Sequence, residues 1–209
     1  MTTMNKKFNK NLIYDDNSKK IMSSSDIYLL KCGIIKTNCN TIFGENYKEI
    51  INKMYLKATQ NLGKSPNSMH KYGNSDIIEK NELEILEGMT KKIICNNYGF
   101  NENKKMTLFI DFSVHYGNMN DKKLDIHRDD SDITINICLK NNFKTTGLRF
   151  HMIPDSLYSF YKYKIFDIDL EEGDVVIHRG DHEHEVVKNQ EIENLDKNRV
   201  NLILWFKFI

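Results

Sequence analysis

The chain has 209 residues, 40% of them hydrophobic and 28% charged, with two prolines and ten glycines, enough for one globular domain with a substantial core. That balance excludes a collagenous or wholly disordered chain, and no run of about 18 apolar residues is present to span a bilayer. A formal net charge of +1 argues against a protein whose main task is to wrap a polyanion.

Residues 1–25 are polar, rich in Lys, Asn and Ser, and without periodicity, so they read as a flexible leader; residues 26–209 read as a single domain. The leader contains basic residues but no apolar segment of the secretory type, and the expected location is intracellular, in the cytoplasm. IYLLKCGII at 27–35 is a β-branched, apolar run and predicts a strand. From Glu45 to about Gln60, Ile50, Ile51, Met54, Tyr55 and Ala58 recur at helical spacing. NLGKSPNSMHKYGNS at 61–75 is a loop by composition, and a second helix is expected from Asp76 to Asn97.

Beyond Asn103 the pattern changes to strands: 106–116, 133–139, 147–153, 164–170, 174–179 and 199–209. Residues 154–163 read as a loop whose Tyr158, Tyr161 and Tyr163 cover one mouth of a barrel. Early helices followed by six strands give an α+β, mainly β architecture, with the helices packed on one side of a sheet sandwich or barrel.

The four cysteines, at 32, 39, 95 and 138, match neither a paired zinc pattern nor a disulfide scaffold and read as reduced thiols. Charge divides along the chain: residues 1–110 hold 17 basic and 11 acidic residues, residues 111–209 hold 13 and 18. The strand-rich part is therefore net negative, which favours a cationic substrate over an anionic one if the site lies there, a solvated acidic surface being the alternative.

Six of the seven histidines fall between 115 and 184. In His127-Arg128-Asp129 the imidazole and carboxylate, two residues apart on an extended segment, share one side and can chelate one ion. The cluster from His178 to Glu185 follows a turn and strand that would carry it to a barrel rim. A His and a carboxylate from one strand and a His from a later one make a facial triad suited to non-haem Fe(II), with a His-rich zinc site as the competing reading. Arg199 opens a hydrophobic strand fifteen residues after His184, where a buried guanidinium needs a partner. A small dicarboxylate would supply one, as would an internal ion pair. Taken singly these features are weak; their order, His-x-Asp, then His, then Arg-x-Asn-Leu, strengthens the joint reading.

With these residues in view, the chain resembles the Fe(II)/2-oxoglutarate-dependent dioxygenases of the prolyl and lysyl hydroxylase group, above all the catalytic domain of procollagen lysyl hydroxylases. The likeness runs through FSVHY (112–116), HRDDSDITINICL (127–139), GLRF (147–150), GDVVIHRGDHEHE (173–185) and RVNLILWF (199–206), with a weaker match at DIYLL (26–30). It implies a double-stranded β-helix, a jelly-roll barrel with supporting N-terminal helices. It also implies iron held by His127, Asp129 and His184, the last preferred to His182 because the family's ligand is the second His of the pair, directly before Glu. Arg199 would bind the distal carboxylate of 2-oxoglutarate, with Tyr116 and Asn136 as further co-substrate contacts. For these two the structural alternatives are a core tyrosine and an asparagine that bridges strands. His178 and His182 could support the metal site or be ordinary exposed residues.

The implied reaction consumes O₂ and 2-oxoglutarate, releases succinate and CO₂, and hydroxylates a protein or peptide side chain, lysyl first and prolyl second, with ascorbate as a candidate reductant. The chain has no second Arg after Arg199 on its last strand and a net-negative barrel half, which argues against a nucleic-acid substrate. No membrane partner is implied, and a monomer or a homodimer fits equally. A catalytically silent metal-binding barrel and a zinc hydrolase are the rival readings. Three departures from the family stand out: a longer stretch between His184 and Arg199, read as a polar hairpin; Thr145-Thr146-Gly147 in place of a glycine-rich turn; and a shorter segment between His178 and His182.

Overall fold

The computed structural model describes residues 33–60, 69–70, 77–98, 103–117, 123–143, 147–156, 159–187 and 198–209. The expected leader, most of the strand at 27–35 and the expected hairpin before the last strand lie outside the described residues. The first described elements are β1 (Ile34–Asn38), a short helix α1 (Cys39–Phe43), a 3-10 turn at Gly44–Asn46 and helix α2 (Tyr47–Gln60). The Asn38 side chain caps α1 by accepting from the Thr41 amide at 2.9 Å, which satisfies a donor the first turn would leave unpaired. Then come β2 (Met69–His70), helix α3 (Lys80–Tyr98), β3 (Met106–Gly117), β4 (Leu124–His127) and β5 (Ile133–Asn141). The hairpin β6 (Gly147–Ser156) and β7 (Ser159–Asp169), then β8 (Asp174–Arg179), β9 (His184–Val186) and β10 (Asn198–Phe208) complete the order.

Among the described residues every strand pairing is antiparallel. Six strands form one sheet in the order β1-β8-β5-β10-β3-β2, and four form a second in the order β4-β9-β6-β7. This is the expected mainly β architecture of two facing sheets with helices on one side, the double-stranded β-helix.

Alternation along the central strands builds both halves of the interior. Ile133, Ile135, Ile137 and Leu139 of β5, Val175 and Ile177 of β8, and Val200, Leu202, Leu204 and Phe206 of β10 form a single core with the helices. Helix α2 contributes Ile51, Met54 and Ala58 to it, and α3 contributes Leu86 and Ile94, spaced so that each helix buries one stripe. The residues between them on the same strands face the second sheet. There Phe112, Val114, Tyr116, Cys138, Leu148, Phe150, Ile168, Val186 and Ile203 form a second core.

Gly173, in the turn before β8, locks the helices to the sheet. It has φ of 91°, and an added Cβ would press on Ile51 and Tyr47 of α2. Its carbonyl accepts from Cys39 N and its amide donates to Cys138 O, both at 2.8 Å.

Two expectations shift. The second helix begins at Lys80, because Ile77 and Ile78 are buried ahead of it in non-helical backbone. Residues 154–163 are mostly strand: β6 and β7 run through them as a hairpin, with Pro154 paired to Tyr163. Aromatic residues suit a pleated surface, and this preference overrides the polar composition. The side chains of the three tyrosines there lie outside the described residues.

Candidate metal centre

The site forms where β4 meets β9. The register pairs His127, the last residue of β4, directly with His184, the first of β9, and their ring centroids lie 4.3 Å apart. Asp129 follows in the turn after β4. That turn is fastened to the turn between β8 and β9, where Gly180 O accepts from Asp129 N at 2.9 Å and Gly180 N donates to Asp132 O at 3.3 Å. A Cβ on Gly180 would lie 2.1 Å from Ser131 O, so only glycine permits this approach.

Each imidazole is oriented by a backbone carbonyl. His127 Nδ1 donates to Asp125 O at 2.8 Å, and His184 Nδ1 donates to His182 O at 2.9 Å. This leaves both Nε2 atoms turned toward Asp129, at 3.5 Å from Oδ1 and 3.7 Å from Oδ2. The donor atoms of His127, Asp129 and His184 all lie within 4.8 Å of one another, the spacing of a set that can close on one ion. Nδ1 tethered to a carbonyl, with Nε2 left bare, is how proteins present histidine to a metal. The two-nitrogen, one-oxygen donor set suits Fe(II) with further positions open. His182 contributes its carbonyl to this arrangement, and its ring lies beside Phe150 at 6.2 Å.

Electrostatics act unequally on the set: Asp129 and His184 are held in ligating form, and His127 is pushed the other way. Burial pushes the Asp129 carboxyl up, but His127, His178, His184 and the Thr134 hydroxyl outweigh it and hold the group down at about 2. Thr134 Oγ1 donates to Asp129 Oδ2 at 2.5 Å and is itself 2.8 Å from Ser131 Oγ. Burial pulls His184 below the usual imidazole range, so its Nε2 lone pair is available near neutral pH. Burial acts the same way on His127, but the neighbouring Asp129 carboxylate and the Asp125 carbonyl raise it overall, so an ion bound there competes with a proton.

A cavity of about 340 Å³ opens from these residues between the sheets, lined by Tyr116, Asn136, Leu148, Val186, Ile203 and Trp205 and reaching Lys123 and Leu124. Arg199 lies on the same face of β10 as Ile203 and Trp205, paired in register with Tyr116. It is 1% exposed, and its guanidinium carbon sits 4.5 Å above the Tyr116 ring. Burial lowers the guanidinium's pKa, opposed by Tyr116 and Cys138. Asn136 lines the cavity and also bridges strands, because its Oδ1 accepts from Asn201 Nδ2 at 2.7 Å. The strand-bridging alternative for Asn136 is thus observed, and the same side chain lines the cavity.

All six residues singled out in the sequence thus lie on the inner side of the barrel. Thr134 and Trp205 were not assigned to the site, and of the two readings left open for His178 the exposed one fails: it is fully buried, with Nε2 3.8 Å from Asp129 Oδ2. Burial pushes His178 down to about 3 and His182 to about 4. The signal that could have found Thr134 and Trp205 is strand alternation, since each stands an even number of residues from Asn136 or Arg199 on its own strand.

No protein-family model matches the chain. It is 30% identical over 148 residues to 2-oxoglutarate and iron-dependent oxygenase domain-containing protein CP2 of Arabidopsis thaliana, covering 67% of this chain and 36% of that protein. The chain spans between 23% and 40% of the length of the curated relatives it matches. Among solved structures, an oxidoreductase of the 2OG-Fe(II) oxygenase family from Burkholderia pseudomallei superposes with a TM-score of 0.58 at 13% identity, covering 87% of each chain. The non-heme alpha ketoglutarate dependent epimerase SnoN from nogalamycin biosynthesis gives 0.58 at 11% identity over 87% of this chain and 80% of its own. At these identities the solved structures speak for the fold.

Proposed function

The chain is a member of the 2-oxoglutarate and iron-dependent oxygenase superfamily, and on that premise we propose that it hydroxylates a lysyl side chain of a protein or peptide. The observation that carries the oxygenase reading is the pair of bare Nε2 atoms turned on Asp129, at 3.5 and 3.7 Å, beside a cavity lined by Tyr116, over whose ring the buried Arg199 guanidinium sits. The lysyl preference is supported by the motif likeness to lysyl hydroxylases and by the acidic balance of residues 111–209.

In this proposal His127, Asp129 and His184 hold Fe(II), and Arg199 receives the distal carboxylate of 2-oxoglutarate. Bound iron, with 2-oxoglutarate and O₂, supplies the oxidising power for C–H hydroxylation, with succinate and CO₂ as co-products. The chain's own residues bind and orient. Arg199 offers a planar pair of donors that matches a carboxylate, with its planar group stacked on Tyr116. Asn136, held by Asn201, lines the cavity beside the three metal ligands. Leu148, Val186, Ile203 and Trp205 exclude water, which strengthens the polar contacts made inside. Thr134 fixes the Asp129 carboxylate by occupying one face of Oδ2.

A small-molecule substrate is the second reading. The cavity is walled by apolar side chains between the sheets, as small-ligand sites are, and the structural neighbour SnoN is named for nogalamycin biosynthesis. Succinate release from 2-oxoglutarate under Fe(II), measured with lysyl peptides, prolyl peptides and no added substrate, tests the proposal. Stimulation by lysyl peptides, with a mass gain of one oxygen on lysine, supports it. Stimulation by prolyl peptides alone, or by none, overturns the lysyl assignment.

A further inference from the structure

His178 stands on β8 directly opposite Thr134 of β5, and both face the metal centre. Its side chain is fully buried, and Nδ1 donates to the Arg179 carbonyl at 2.8 Å. The proton is thereby placed on Nδ1, and Nε2 is left as a buried acceptor without a hydrogen-bond partner. His127 and His184 are tethered in the same manner, so three imidazoles turn bare nitrogens to one carboxylate, at 3.5, 3.7 and 3.8 Å.

The third nitrogen differs from the other two. It is not part of the donor set whose atoms lie within 4.8 Å of one another. Its nearest charged neighbour, Asp129 Oδ2, already accepts from Thr134. A bare imidazole nitrogen and a carboxylate oxygen both carry lone pairs and cannot satisfy each other. Leaving a buried acceptor unpaired costs about 1–3 kcal/mol, so a group that carries a proton is expected to face it. A facial set of three protein donors leaves the other positions of the ion to water or co-substrate, and water on a divalent cation is a strong donor.

We propose that His178 is a positioning residue whose Nε2 accepts a hydrogen bond from water bound on the open side of the metal centre and holds that water in place. The inference rests on reading this site as a metal centre. It gives His178 a role apart from ligation, and His127, Asp129 and His184 remain the only protein donors.

Cobalt(II) alone, added to the full-length chain, tests it without turnover, because its visible spectrum reports coordination number. Two variants separate the two nitrogens of the ring. His178→Asn keeps a donor where Nδ1 meets the Arg179 carbonyl but lacks the far acceptor. His178→Gln can place a carbonyl oxygen near the Nε2 position. The wild type and His178→Gln are expected to show the weak absorption of six-coordinate cobalt, and His178→Asn the several-fold stronger absorption of a five-coordinate ion that has lost its water. Identical spectra in all three overturn the proposal while leaving the metal centre intact. Loss of one imidazole nitrogen from the copper(II) electron paramagnetic resonance spectrum of His178→Asn also overturns it, since His178 would then be a ligand. Failure of the wild type to bind cobalt at all removes the metal reading itself, and this inference with it.

Discussion

On β5, the side chains that face the helices are Ile133, Ile135, Ile137 and Leu139, whereas those that face the second sheet are Thr134, Asn136 and Cys138. The same split runs along β10, with Val200, Leu202, Leu204 and Phe206 on one side and Arg199, Asn201, Ile203 and Trp205 on the other. Both faces are buried, so exposure does not distinguish them. What differs is the kind of interaction each can make. The helix side is satisfied by packing alone. The barrel side holds hydrogen-bonding groups that are partly satisfied by each other, as Asn201 satisfies Asn136, and partly directed at one point near Asp129. Burying polar groups at this density costs stability, and the arrangement is intelligible as a binding site rather than as a core.

Substitutions on the two faces should therefore separate function from stability. The largest effect is expected for Asp129→Ala, which should weaken metal binding by more than about 100-fold, since losing only a ligand's hydrogen-bonding support already costs 10- to 100-fold. Isothermal titration with cobalt(II) measures this, and circular dichroism should show the fold retained. Arg199→Ala should raise the 2-oxoglutarate concentration needed for half-saturation by about 10- to 100-fold, the value of a charge-assisted contact, with metal affinity unchanged. On the opposite face, Leu204→Ala removes a fully buried side chain and should cost about 2–5 kcal/mol in urea unfolding while the folded fraction binds metal normally.

Much of this contrast is visible in the linear sequence. ITINICL carries the alternation openly, and the strands at 106–116, 174–179 and 199–209 are found within a residue or two of their bounds. His127 and Asp129 are legible because two residues of extended chain fix their relative direction. The choice of His184 over His182 came from the family likeness, since spacing alone does not say which ring faces inward. Short strands are harder: β4 has four residues and β9 three, too few to display a period, and the pairing of His127 with His184 depends on them. Asn201 was also hidden, for another reason, and for His178 the choice between supporting the metal site and ordinary exposure stayed open. Their partners are a backbone carbonyl and a side chain 65 residues away, and local pattern records neither.

Acid titration of the metal-free protein sharpens the comparison further. Asp129, held at about 2 against an ordinary 3.8, contributes stability that is present above pH 3.8 and lost as pH falls through about 2. His178, pushed down to about 3 from 6.5, binds its proton more readily in the unfolded chain. Its contribution is therefore present above pH 6.5 and lost as pH falls toward 3. Stability should decline from pH 6.5 downward, and His178→Asn should flatten the upper part of that slope, as followed by urea midpoints. The smallest effect is expected for His182→Ala: its carbonyl, which remains, orients His184, so cobalt affinity should change by less than about threefold, below 1 kcal/mol. A large loss there would reverse the assignment of the third ligand.

The central claim is that the polar face of the barrel holds iron and 2-oxoglutarate together. Its most direct test is an anaerobic titration of the metal-free protein with Fe(II) and then 2-oxoglutarate, monitored by visible absorption. A charge-transfer band that appears only when both are present, vanishes in Asp129→Ala and requires more 2-oxoglutarate in Arg199→Ala is the predicted result. Iron binding without the band in the wild type would contradict the account and favour a barrel that binds metal for another purpose.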